Sequence, residues 1–391
     1  MNEQVEKILA GIGVDTFTTV ARDALGDSSA TPLGDPTFSA ITTPHNDDRT
    51  IGIVKVSGTA ASGDDRSHKN WSSVVKIIDQ SVPTNDAANW AFPENEAKVY
   101  ELGLLVDDEV QLRPAKCYLA QQTSDGLHVL WLEDLSGAPQ PPWTLEQFIN
   151  TANHLGQFDG YHSVNKTVLP IEVTQNAYFL RMSVIKWHSE YSKLMELPSD
   201  DPILRRVFRD TPLEPGLEYT EMFERALEVA KSLPHSLSFG DSHPRNLFPL
   251  GSETVGIDWA SLAFDPTGCD IGVLIGSPLS FTEGEVQLSA QYEREIYESY
   301  IDGLKSSGWT GNLDHVRLGF FMQFSFYVLI ATSFPTRFEE LKANDVRRAW
   351  TEKRFGIPFE EFPELKAQVV ELIPKYAEEL KQLLERVERS L

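Results

Sequence analysis

Residues 238 to 258 constrain this chain more than any other stretch. They begin Ser238-Phe239-Gly240-Asp241-Ser242-His243-Pro244-Arg245-Asn246 and end Val255-Gly256-Ile257-Asp258-Trp259. A carboxylate, then an amide, then a second carboxylate closing a short apolar run is the layout that phosphoryl transfer needs. One acid orients a hydroxyl, while the Asn and the second acid hold Mg²⁺ against phosphates. Gly240, Pro244 and Pro249 predict a loop, and Thr254 to Trp259 a short strand. Taken singly, Gly-Asp is a common turn pair and Asn a common turn residue. The ordered trio is what points to metal-assisted chemistry, because an Asp at the end of an apolar strand asks for a partner and a cation supplies one.

At 391 residues the chain is long enough for two lobes, each with its own core. Its net charge of -24 argues against a nucleic-acid surface and against attraction to anionic lipid. The same charge would favour a cationic substrate if acids line a cleft, although for most of them solubility is role enough. Cys117 and Cys269 have neither disulfide-framework nor metal-ligand spacing. The acidic start, Met1 to Glu6, lacks the layout of a secretory signal, and the expectation is a cytoplasmic protein. Leu318 to Ala331 is apolar but short and broken by Gln323 and Ser325, which predicts a buried helix rather than a membrane span.

Along the chain, Val5, Ile8, Leu9 and Ile12 predict a leading helix or two, with Gly11 and Gly13 as terminators, and Asp27 to Pro36 reads as a loop. Strands follow: Thr50 to Val56, a Gly/Ser stretch through Gly63, then Trp71 to Ile78 with Lys76 embedded in it. Strand, small-residue loop and Lys-bearing strand would suit a phosphate-covering hairpin, though Gly58 to Gly63 is no GxGxxG fingerprint. Pro93 to Leu102 predicts a helix, and two apolar runs, Cys117 to Ala120 and Leu127 to Leu132, predict a hairpin. Glu133 to Pro142 is the best boundary, dividing residues 1-132 from 133-391. Beyond it the pattern is mainly helical, from Thr144 or Leu145 on, across Tyr178 to Arg209, Tyr219 to Leu233 and Leu365 to Leu391.

A strand-rich half with a Lys strand and a Glu helix, then a helical half carrying Asp, Asn and Asp, resembles the protein-kinase-like fold. Gly240-Asp241-Ser242-His243-Pro244-Arg245-Asn246 with Ile257-Asp258-Trp259 resembles, in order and spacing, the HGDxHxxN and IDW segments of the aminoglycoside phosphotransferase and choline kinase family. The resemblance covers roughly residues 50 to 280. It implies an α+β, bilobal fold with a small β-rich N-terminal lobe and a larger helical C-terminal lobe. It also implies a kinase of a small-molecule hydroxyl that uses ATP and Mg²⁺, with GTP left open. Asp241 would be the catalytic carboxylate, and Asn246 and Asp258 the metal ligands. Lys76 would contact the phosphates with Glu96 as its ion-pair partner; the rivals are Lys55, set behind because Val74, Val75, Ile77 and Ile78 make a buried strand around Lys76, and Glu94, set behind because Glu96 lies in the family-like run Asn95 to Tyr100. Leu132, Glu133, Asp134 and Leu135 would form the hinge along the adenine edge, and Asp270 would brace the loop.

One position departs from the family pattern: Phe239 stands where His is usual two residues before the catalytic Asp. That departure motivates an alternative, a non-catalytic nucleotide-binding scaffold. A protein-directed kinase is disfavoured, because no Ala-Pro-Glu element follows Asp258. Sugars, nucleosides and amino alcohols all stay open as acceptors, and oligomeric state is not fixed by these residues.

Overall fold

By its internal contacts the chain divides into two units, Met1–Val106 with Arg113–Ala138 and Asp107–Leu112 with Pro139–Leu391. A computed structural model describes residues 3–41, 50–63, 67–79, 93–105, 109–170, 191–281, 290–346, 348–349, 352 and 357–391. The first unit is β-rich and the second mainly helical, the α+β arrangement expected of a protein-kinase-like fold.

In the first unit, helices α1 (Glu3–Ala10) and α2 (Val14–Leu25) precede strands β1 (Thr31–Ala40), β2 (Thr50–Ser62) and β3 (Ser67–Asp79). Then come helix α3 (Pro93–Glu101), strand β4 (Leu112–Pro114), whose first residue is counted with the second unit, and strands β5 (Cys117–Gln122) and β6 (Leu127–Glu133). Five strands pair antiparallel in the order β1-β2-β3-β6-β5. One face carries Val54, Val56, Trp71, Val75, Ile77, Val129 and Trp131, and α1 and α2 cover it with Val5, Leu9, Phe17 and Val20. Side chains alternate across a strand. Lys76, between Val75 and Ile77, is therefore turned to the opposite face.

Two expectations are corrected here. Asp27 to Pro36 is not all loop, since β1 starts at Thr31. As an edge strand it tolerates Pro32 and Pro36, and the register shift between Leu33 and Thr37 absorbs Gly34 to Pro36. Secondly, the Gly/Ser stretch is strand as far as Ser62, and it lies at the opposite end of the sheet from Lys76. Lys76 pairs with Ile53, whereas Ser62 pairs with Ser67. The nine steps from Ile53 to Ser62 span roughly 30 Å of extended chain. The connection at the Lys76 end is the one between β1 and β2, where residues 42–49 lie outside the described residues.

The second unit opens with α4 (Leu145–Asn165), whose start is held by a capping box between Thr144 and Gln147. Its glycines let a neighbour in: a Cβ on Gly156 would come within 2.1 Å of the Tyr300 carbonyl, so α4 and the helix Ala290–Ser306 pack backbone to backbone. Between them in sequence are β7 (His235–Ser238), β8 (Leu247–Leu250), β9 (Glu253–Gly256) and β10 (Ala263–Pro266), with β7 pairing β10 and β8 pairing β9. The helix Cys269–Phe281 follows. Residues 178–190 of the expected helical region lie outside the described residues; its far end is the helix Pro202–Phe208, capped by Asp201.

Among the described residues no single helix is long and apolar enough to cross a membrane. Leu313–Thr332 and Phe334–Ala343 together match a span by length and composition, but they are bent by 63°. Most of the first is buried inside the second unit, as its apolar sequence predicts for a core helix.

Candidate functional site

The predicted residues fall into two groups, one in each unit. In the first unit the structure joins Lys76 and Glu96. Strand β3 is central, flanked by β2 and β6, so Lys76 is buried at 9% exposure and its ammonium requires a counter-charge. Glu96, 1% exposed on α3, supplies it, with Nζ to Oε2 at 2.5 Å. The rival Lys55 is engaged elsewhere, at 2.7 Å from Asp134 Oδ2 and 2.7 Å from Ser136 Oγ. Glu94 lies outside the described side chains.

The expected hinge residues are held by side-chain bonds that the sequence did not reveal. Leu132 O accepts from Ser73 Oγ at 2.8 Å. Glu133 receives Arg113 through both oxygens, at 2.8 and 3.3 Å, and the Lys116 amide at 3.0 Å. Asp134 accepts from Ser72 Oγ at 2.6 Å and from its own turn at Ser136. Burial pushes the Asp134 carboxyl up, but Lys55, Ser72 and Ser136 outweigh it and hold it at about 2. Leu135 is buried and its carbonyl accepts the Ala138 amide at 2.9 Å.

In the second unit the β8-β9 hairpin brings distant residues together. Leu247 pairs with Gly256, so the residues just outside the hairpin, Asn246 and Ile257, are bonded at 2.9 Å and Asp258 follows at once. The predicted strand stops at Gly256. Asp258 is half-buried in the left-handed region at φ 63°, which turns the chain into the short helix Trp259–Ser261. A non-glycine residue held there is the kind of strained position that clusters at functional sites.

Asp241 is bonded within its own loop. Asn246 Nδ2 donates to Asp241 Oδ2 at 2.9 Å and to the Asp241 carbonyl at 3.2 Å. The reverse amide orientation would set two oxygens against each other, so Asn246 Oδ1 is the atom turned outward. His243 Nδ1 accepts the Arg245 amide at 3.2 Å, which leaves its Nε2 facing Asp241 Oδ2 at 3.4 Å. Burial raises the Asp241 carboxyl, but the His243 ring, the Arg245 guanidinium and the Asn246 bond outweigh it and keep it below the ordinary range. Tyr327, from the helix Leu313–Thr332, also comes near: burial pushes its hydroxyl well up, and the Asp241 charge adds to that.

Behind the loop, Asp270 accepts the Phe239 and Gly240 amides at 2.7 and 2.9 Å, and its carbonyl accepts Ser242 Oγ at 2.7 Å. Gly240 has φ 84°, a conformation glycine adopts without penalty, and this lets two successive amides converge on one carboxylate. Phe239, where His was expected, is fully buried and meets Trp259 edge to face at 4.4 Å between centroids. Its side chain joins the core and its amide is still held, so the loop is braced without an imidazole. Sequence reasoning left His243 without chemistry and passed over Arg245 and Tyr327. Adjacency to Asp241 was the available signal for the first two, and nothing local marked Tyr327.

Among the described residues no group of three or more His, Cys, Asp and Glu forms a metal cluster. Asn246 Oδ1 and the Asp258 carboxylate are two hard oxygen donors at one end of a hairpin, a set that fits a cation completing its shell with phosphates and water.

No protein-family model matches the chain, and no curated protein does. Similar solved structures include choline kinase from Cryptosporidium parvum Iowa II, at 12% identity and TM-score 0.49, covering 95% of this chain and 99% of that one. A choline/ethanolamine kinase family protein from Mesorhizobium loti has 14% identity and TM-score 0.40, covering 92% and 99%. An aminoglycoside phosphotransferase from Streptomyces rimosus ATCC10970, in complex with ADP and streptomycin, has 15% identity and TM-score 0.38, covering 81% and 98%. At these identities and scores they add no weight to the site.

Proposed function

We propose that this chain is a Mg²⁺- and ATP-dependent phosphotransferase that moves the γ-phosphate onto a hydroxyl of a small molecule. The carrying observation is the Asp241-Asn246 pair with Asp258 set beside it by the β8-β9 hairpin. In this reading the first unit handles the nucleotide, with Lys76 on the phosphates, Glu96 fixing its ammonium, and the main chain of Leu132 to Leu135 along the adenine edge. The second unit supplies the acceptor side.

Asp241 accepts a hydrogen bond from the acceptor hydroxyl and aims its oxygen at the γ-phosphorus. The new O–P bond forms as the bond to the β-γ bridging oxygen breaks, and the hydroxyl proton passes late to Asp241. A carboxylate held below its usual range is a weak base, which suits a loose transition state that depends on positioning and charge neutralisation. Magnesium, bound by Asn246 Oδ1 and Asp258, would neutralise charge on the phosphates. The net charge of -24 makes cationic amino sugars and amino alcohols the first acceptors to try.

The test is Mg-ATP turnover against a panel of hydroxyl compounds, with a search for a one-phosphate mass shift in a metabolite extract. Wild type is expected to transfer phosphate, and Asp241→Ala to lose about 10³-fold or more in kcat. An Asp241→Ala protein as active as wild type overturns the assignment. Nucleotide binding without transfer to any compound would instead favour the scaffold reading.

A further inference from the structure

Asp159 lies on α4, outside every role assigned above, and is 1% exposed. Tyr300 Oη donates to its Oδ2 at 2.5 Å. Its other oxygen, Oδ1, is buried and receives no N–H or O–H donor. The carboxyl of Asp270, the residue that holds the Phe239 and Gly240 amides, is a close neighbour that acts on Asp159 through its charge and its side-chain oxygens.

Two carboxylates in contact in a dry interior cannot both be charged. A third, Asp265, is 1% exposed and adds its negative charge to the same neighbourhood. A single proton between the pair satisfies the orphaned oxygen and removes the repulsion. Asp270 takes two main-chain N–H bonds and is the better anion, so the proton belongs to Asp159.

We infer that Asp159 is a positioning residue: as a neutral acid it accepts from Tyr300, donates to Asp270, and thereby fixes the amides on which Asp241 is mounted. Burial, together with the charge of Asp270, raises the Asp159 carboxyl well above its ordinary value, in keeping with this arrangement. The nearby Cys269 thiol is likewise pushed up by burial and by the three aspartates. Asp159 bears on catalysis only if Asp241 meets the acceptor as proposed above, but its test needs no turnover.

Infrared spectra and amide hydrogen exchange of the full chain at neutral pH, for wild type, Asp159→Asn and Asp159→Ala, provide that test. Wild type should show a protonated-carboxyl stretch that Asp159→Asn abolishes. The Asn amide can still accept from Tyr300 and donate to Asp270, so Phe239 and Gly240 should keep their exchange protection within about threefold. Asp159→Ala should speed their exchange about tenfold, as expected when one buried hydrogen bond is lost. If the protonated stretch persists in Asp159→Asn, or that variant loses protection of the two amides, the inference fails. Because Asp159→Asn conserves shape, it decides the matter even if the alanine variant does not fold.

Discussion

The two groups of predicted residues are held in different ways. Lys76 owes its place to a central strand and depends on Glu96 for its charge. Asp241 sits in a web: Asn246 and His243 meet its side chain, Asp270 holds the amides before it, and the hairpin fixes Asn246 from behind. A charge buried in a sheet is placed by register and stabilised across a long stretch of chain, while a loop charge is placed by many short-range bonds. The first arrangement should be brittle to loss of a single side chain and the second tolerant.

The sharpest break is Glu96→Ala, which takes a 2.5 Å carboxylate partner from a buried ammonium and should destabilise the first unit by ~4 kcal/mol in urea unfolding. Replacing both partners, as Lys76→Met with Glu96→Leu, should restore most of that loss. If the single and double variants unfold alike, the pair is not what limits this unit.

In the second unit acid is the gentler probe. His154 on α4 bonds Thr254 of β9 at 2.8 Å, and burial lowers its imidazole to about 4 against the opposing pull of Glu253. Its folded value lies below the unfolded one of about 6.5. The stability it contributes as a neutral ring is therefore complete above about pH 6.5 and lost as pH falls through about 4. Unfolding curves across that window should show a decline of up to ~3 kcal/mol that His154→Phe, unable to take the proton, flattens.

The smallest effect is expected within the web. Asn246→Ala removes bonds to Asp241 but leaves the Asp270 bonds and the hairpin in place, so its cost in thermal unfolding should be ~1 kcal/mol. A loss as large as that from Glu96→Ala would erase the contrast between the two units.

Much was legible where the relevant contacts are local. The apolar run around Lys76 and Pro93 at a helix start carry their signal within a few residues, and both elements formed as read; the Gly240 to Trp259 run formed in part, since Leu247 to Leu250 is strand rather than loop and the following strand stops at Gly256. The reading failed where a neighbour from elsewhere decided the outcome. Pro32, Gly34 and Pro36 spell a loop until an edge of a sheet accepts them, and Gly58 to Ser62 looks like a turn until β3 pairs along it. Phe239 departs from the family pattern in the sequence; against Trp259 it is core packing.

The sequence by itself determined the order of chemistry-bearing residues and the two kinds of lobe, because periodicity and turn chemistry are properties of neighbouring residues. Only the tertiary structure decided which lysine meets a glutamate and which end of the sheet carries it. It alone set the Asp159 carboxyl against Asp270, about 110 residues away along the chain. Such choices depend on strand register and on close helix approach through Gly156, and these are settled by burial summed over contacts that no local stretch contains.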